Sequence, residues 1–355
     1  MNLQEFINSK EIALYIENLP PQIALDTSLF PNDKQLSTEL EMAKGAMQRP
    51  VAIRMSQFDV AAKIRALKAE VSVEKKEMPF FKEAIGINEK ARRDLTIAKD
   101  SSNQNLVEFI IKQVFENYAN LVGGADVQAS RMRSQILQKG EINIVTEDGD
   151  IVVDYGVPAD HKETLTGADL WSNPASDIVG DIRRWQKVFT DKGLTKPTRL
   201  LMTDKTFDYI VSNNAITKDL KTRAFGDVIL VEEDYKAFLR KKLGVEIAIL
   251  NGVYLDEKGV QQNFYEDNIV TLIPAGTLGK TIYAVTPEEF DKSYGSGKLD
   301  TSVIKTGISI TTMVKEDPVS VDTKISQIVL PSFDRANECF FATVHTGSVK
   351  ESKKK

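Results

Sequence analysis

The residues that usually carry chemistry are scarce in this chain. Its 355 residues include two histidines, His161 and His345, and one cysteine, Cys339. A single cysteine excludes an intrachain disulfide framework. Cys339 opens the apolar run Cys339-Phe340-Phe341-Ala342, the setting of a small buried hydrophobe rather than of a reactive thiol. The histidines lie far apart in sequence, in no HExxH, Cys/His or triad-like context. A metal or catalytic pair would need the fold to bring them together; their local sequence favours surface or structural roles. No apolar run approaches the roughly 20 residues of a membrane span. The start, MNLQEFINSKEIALYIENL, places acids and polar residues where a signal peptide needs a basic end and an apolar core, so synthesis in the cytoplasm is expected. Positive charge is not in excess either. With 46 basic against 51 acidic residues the net charge is −5, which argues against a nucleic-acid-binding basic face.

Phosphate-binding and acid–base motifs are missing as well. Tyr294-Gly295-Ser296-Gly297-Lys298 has Lys292 where a Walker loop needs its first glycine, and Leu299 where it needs Ser or Thr; a flexible loop is expected there. The acidic runs Glu147-Asp148, Glu232-Glu233-Asp234, Glu266-Asp267 and Glu288-Glu289 sit among turn-forming residues and are expected to be solvated loop positions. No cofactor and no chemical step are implied, so a non-enzymatic protein is expected. A hydrophobic content of 42% with 27% charged residues is that of a globular chain, long enough for two domains or one elaborate one.

What is present is a succession of elements. Residues 1–49 combine an amphipathic segment (Leu3, Phe6, Ile7, Ile12, Leu14, Tyr15, Ile16) with Pro20-Pro21 and Phe30-Pro31, a pattern of an extended arm with a local helix. Residues 50–86 crowd charges among small and β-branched residues, and Ala69 to Glu74 alternates. A hairpin and a helix followed by a loop are both compatible with that stretch. Asn88 is a candidate cap for a helix over Glu89–Lys99. Leu106, Phe109, Ile110, Val114, Tyr118, Leu121 and Val122, then Val127, Met132, Ile136 and Leu137, recur at helical spacing up to Gly140. Gly123-Gly124 in its middle predicts a bend or close packing. Glu141–Val153 predicts a hairpin, and Asp177–Lys192 an amphipathic helix with Trp185 in its core face. Gly244–Glu289 is a run of short strands separated by turns at Asp256–Gly259 and Glu266–Asn268. Strands are expected over Ile304–Val314 and Ile325–Leu330.

In order and spacing the Gly244–Glu289 block resembles the corresponding region of lambda-type major capsid proteins of tailed bacteriophages. Further pieces follow in the family's order: Gln138-Lys139-Gly140-Glu141-Ile142, Asp154-Tyr155-Gly156, Leu170-Trp171, Asn173 to Ile178, Leu200 to Thr203, Thr286 to Glu289, Glu316-Asp317-Pro318 and Val329 to Phe333. Their collinearity carries the resemblance. It implies an α+β Hong Kong 97-like capsid fold, with an amino-terminal arm (1–49) and an E-loop (50–86) reaching over a neighbouring subunit. A peripheral domain on a long spine helix (87–170), an axial domain (171–280) and returning strands with a basic tail (281–355) would complete it. The implied function is a major head protein in the virion, forming hexamers and pentamers of itself that close into an icosahedral shell around DNA. Scaffolding and portal proteins, and in some relatives a decoration protein, are the implied partners; contact with packaged double-stranded DNA would be non-specific. Lys68, Glu70, Glu74, Lys75, Lys76 and Glu77 are the expected intersubunit contacts of the E-loop. The tail Lys350–Lys355 is expected to be solvated, with a weak phosphate contact as the alternative. An encapsulin-like compartment shell and, from another class, a soluble α+β enzyme are the rival readings.

Overall fold

The computed structural model describes residues 8–19, 25–44, 72–87, 93, 97, 104–146, 149–223, 229–316 and 319–346. Helix α1 (Ser9–Glu17) starts where the Asn8 carboxamide accepts from the Glu11 amide at 2.9 Å, a side-chain cap on an otherwise orphaned donor. Ile12, Ala13 and Ile16 form its buried stripe. They pack with Phe115, Tyr118, Leu121 and Val122 and with Ile304, Ile308, Ile310 and Ile325. The local helix expected in the arm therefore lies against its own subunit. A short helix α2 (Leu25–Leu29) and strand β1 (Asn32–Gln35) follow.

Strand β2 (Glu39–Lys44) pairs antiparallel with β3 (Ser72–Glu77), and β4 (Phe80–Ile87) then joins a larger sheet. The two-stranded ribbon thus begins at Glu39, inside the stretch read from sequence as arm. Residues 45–71, which span most of the charged segment, and the Asn88 cap lie outside the described residues. Of the helix expected over 89–99, positions 93 and 97 are described and both are helical.

Helix α3 (Gln104–Lys139) runs 36 residues without interruption, about 54 Å at 1.5 Å per residue. A Cβ built on Gly123 or Gly124 would meet no described residue within 4 Å, so of the bend or close packing expected there, close packing is absent among the described residues. Gly140 ends the helix at φ +70°, where a Cβ would come within 2.3 Å of Val157 Cγ2. The expected hairpin follows as β5 (Glu141–Thr146) and β6 (Gly149–Asp154), then the edge strand β7 (Lys162–Thr164). Helix α4 (Ile178–Asp191), capped by Asp177, is the amphipathic helix anticipated there, with Ile178, Ile182, Trp185 and Phe189 buried. Beyond it come β8 (Arg199–Met202), α5 (Asp204–Val211), α6 (Asn214–Arg223), α7 (Glu232–Leu243) and β9 (Glu246–Ile249). The hairpin β10 (Val253–Leu255) and β11 (Gln261–Asn263) turns at Asp256–Gly259 as the sequence predicts, with Gly259 at φ +74°. Strands β12 (Ile269–Ile273) and β13 (Thr281–Ala284), helix α8 (Pro287–Tyr294), and strands β14 (Asp300–Ile304), β15 (Ile308–Glu316), β16 (Val319–Pro331) and β17 (Phe340–Thr343) complete the order. The single strand expected over Ile304–Val314 is two, because Lys305 turns at φ 51°.

Two larger sheets result. One has the order β1-β13-β16-β15-β14, with β4 on the other edge of β16; the second is β7-β17-β12-β8-β9. Alternation along the second sheet divides its side chains between two cores. Leu201, Ile269, Ile273 and Phe341 face a core shared with α3 and the first sheet. Leu200, Met202, Val270, Leu272, Phe340 and Ala342 face a core shared with helices α4, α5 and α7. Both faces are covered, which is why β12 is buried at every position.

Candidate assembly surface

The β2–β3 ribbon is anchored at its base and charged along its length. Leu40 and Met78 are buried in the core beneath α3. The Met78 amide donates to the Thr38 carbonyl at 2.9 Å, and the Gln35 side chain donates to the carbonyls of Ser37 (2.7 Å) and Glu39 (2.8 Å). Along the ribbon the register sets Glu39 opposite Glu77 and Glu41 opposite Lys75. Opposed like charges disfavour pairing, and Lys75 offsets this by reaching Glu41 at 3.0 Å and Glu39 at 3.7 Å. The hydrogen bond that Lys75 donates to Glu41, then the Glu41 charge, raises the Lys75 pKa. All three side chains are more than half exposed, so the pairs are screened and weak.

Of the residues singled out in sequence, Lys68 and Glu70 lie outside the described residues. Glu74, Lys75, Lys76 and Glu77 share β3, opposite Met42, Glu41, Leu40 and Glu39 in turn. For Glu74 the backbone position alone is described. Lys75 and Glu77 are exposed; Lys76 is half-buried.

The acidic runs within the described residues make structural contacts. Glu288 corrects the expectation of solvated loops: it is buried on α8, ion-paired with Lys324 and accepting from the Ser326 hydroxyl at 2.9 Å. Burial raises its pKa, but these partners and the backbone outweigh that and hold it low. Glu289 pairs with Lys34 at 2.6 Å, Glu266 with Lys139 at 2.9 Å and Asp267 with Lys205 at 3.1 Å. Asp234 accepts from the Val231 amide at 2.9 Å at the start of α7. Glu147-Asp148 lies outside the described residues. Among the described residues no group of three or more His, Cys, Asp or Glu side chains could hold a metal ion. Cys339 is buried, and burial pushes its thiol far up. The glycine loop after α8 is tied down, the Ser296 amide and hydroxyl both donating to Asp291 at 3.0 Å.

Sequence reasoning missed several outward-facing apolar residues. Phe290 and Tyr294 stand one turn apart on α8, ring centroids 5.1 Å apart and both over half exposed. The four-residue spacing was a legible signal; its exposure was not. Val253, Leu255 and Val260 are exposed on the β10–β11 hairpin, as are Val145 and Val152 on β5–β6. Among the described residues no helix is long and apolar enough to cross a membrane.

The family model described as phage major capsid protein E matches residues 8–344. No curated protein matches the chain in sequence. Among solved structures the fold is similar to a protein assigned as the capsid protein of a prophage of E. coli CFT073, at 12% identity and TM-score 0.59 over 96% of this chain and 99% of that one. A phage-related protein from Bordetella bronchiseptica RB50 gives 11% identity and TM-score 0.52 over 95% and 97%. The cyanophage A-1(L) capsid gives 12% and 0.51 over 91% and 92%.

Proposed function

The chain belongs to the phage major capsid protein E family and, as a non-enzymatic structural protein with a mixed α+β Hong Kong 97-like fold, forms shells; from that premise we propose that it is the major head protein of a tailed bacteriophage or prophage. Hexamers and pentamers of the chain would close into an icosahedral shell around DNA, made in the host cytoplasm and carried in the virion. Scaffolding and portal proteins, and a decoration protein where the phage encodes one, would be its partners. The carrying observation is the family match over residues 8–344. In this reading the β2–β3 ribbon is the stem of the E-loop and α3 the spine helix. The first sheet with α3 corresponds to the peripheral domain, and the second sheet with α4–α7 to the axial domain. Many modest contacts of this kind, repeated around a closed shell, make it stable through multivalency.

Co-expression with the scaffolding partner is expected to give closed particles by electron microscopy. A chain that stays monomeric or dimeric at high concentration with that partner present overturns the reading. Particles that enclose cargo enzymes and lack a portal vertex would favour the compartment-shell alternative.

A further inference from the structure

His161 closes the short turn Ala159–His161 immediately before edge strand β7, and is 1% exposed. Its ring packs on Phe189 of α4 with centroids 4.8 Å apart. Its Nε2 lies 2.8 Å from Nζ of Lys192, the residue that caps the C-terminus of α4. The same ammonium is ion-paired with Asp160. An ammonium group has donors and no acceptor. The contact therefore fixes Nε2 as the accepting nitrogen, so the ring is neutral and its proton sits on Nδ1, a buried nitrogen with no hydrogen-bond partner among the described residues. Protonating Nε2 would replace a hydrogen bond by two cations 2.8 Å apart.

We propose that His161 is a pH-sensitive latch: neutral, it accepts from Lys192 and holds the end of α4 against the turn before β7; protonated, it repels Lys192 and loosens that corner. Among the described residues, Lys192 from α4, Asp160 from its own turn and Cys339 ahead of β17 face it. Asp160 is more than half exposed and already bonded to Lys192, and the buried Cys339 thiol stays protonated. The next carboxylate along, Glu163, accepts from Arg184 through both oxygens and from the Trp185 indole. Burial first and Lys192 second lower the His161 pKa against the opposing pull of Asp160 and the Cys339 backbone. A folded-state value below the unfolded one, about 6.5, means the unfolded chain takes up more protons on acidification. The contribution of the neutral ring is complete above about pH 6.5 and declines as pH falls below it.

With two histidines in the chain, ring NMR of the unassembled full-length subunit resolves the question, and His161→Gln assigns the resonance. His161 is expected to titrate below its value in the same chain unfolded in urea. The loss of melting temperature between about pH 7.5 and about pH 5.5 is expected to be smaller in His161→Gln, whose amide oxygen accepts from Lys192 without titrating, and in Lys192→Met. A His161 value at or above the unfolded one overturns the latch, as do two variants that keep the wild-type pH dependence. Should a variant fail to fold, the wild-type titration decides: both histidine resonances at or above the unfolded value sink the proposal.

Discussion

Arg133 fastens the described part of the arm to the rest of the subunit. Its side chain is 5% exposed, and Nε donates to Asp26 of α2 at 2.8 Å. The two terminal nitrogens donate to Thr281 (3.2 Å) and Ser130 (2.9 Å). One guanidinium thus ties α2, α3 and β13 together, each of its three nitrogens making a hydrogen bond. Removing one partner of a buried pair strands the other charge, at a cost of about 3–5 kcal/mol. Arg133→Met is expected to destabilise by an amount near the lower end of that range, since Asp26 retains 14% exposure. The double change Arg133→Met with Asp26→Leu is expected to recover most of the loss. Urea unfolding of both variants checks this. Neither residue stood out in sequence, because 107 positions separate them and nothing local to Arg133 announces its partner. Cys339 was legible as core from the apolar run it opens and Trp185 from its helical spacing with Ile178, Ile182 and Phe189, and Glu288 was not, because its partner Lys324 lies 36 residues on.

At the scale of elements, what a local period can encode was readable and what long-range pairing decides was not. The 3.6-residue stripe gave α3 and α4, and turn residues gave the β5–β6 and β10–β11 hairpins. The β2–β3 ribbon joins strands at 39–44 and 72–77, and no local pattern in either strand names the other. Of the bend or close packing expected at the glycine pair in α3, the close packing is not found among the described residues: sequence shows that a Cβ is missing, never whether anything fills its place. Since a Cβ at either position would meet no described residue within 4 Å, Gly123→Ala and Gly124→Ala are each expected to stabilise the subunit by about 1 kcal/mol through helix propensity. Gly140→Ala is expected to act in the opposite sense, by at least about 1–2 kcal/mol, because φ is +70° and Val157 occupies the space. Thermal unfolding of the three variants separates the two cases.

For the whole molecule, the place to cut the ribbon is now defined. Met78 belongs to the core, and 72–77 pairs with 39–44, so a deletion reaching Met78 would damage the fold itself. Replacing 45–71 with a short Gly-Ser linker retains both paired strands. Under the capsid reading, that variant is expected to melt as the parent does, yet to form no stable shells with its scaffolding partner. Shells of normal yield would sink the E-loop assignment while leaving the family membership intact. A net charge of −5 leads to a further expectation: DNA binding by the free subunit is weak, indifferent to sequence and lost at moderate salt. Filter binding across a salt series tests it.

The two tryptophans of the chain share one core: Trp171 and Trp185 stack 5.8 Å apart, and Trp185 stacks on Phe340 at 5.4 Å. Their fluorescence is therefore a local reporter, blind to the core beneath α3, whereas circular dichroism registers helices on both sides of the second sheet. Because that sheet lends alternate side chains to each core, neither core can melt without stripping one face of the wall they share. Fluorescence and circular dichroism are expected to trace a single denaturation curve, and an early fluorescence transition would mean that the wall outlives one of its two coverings.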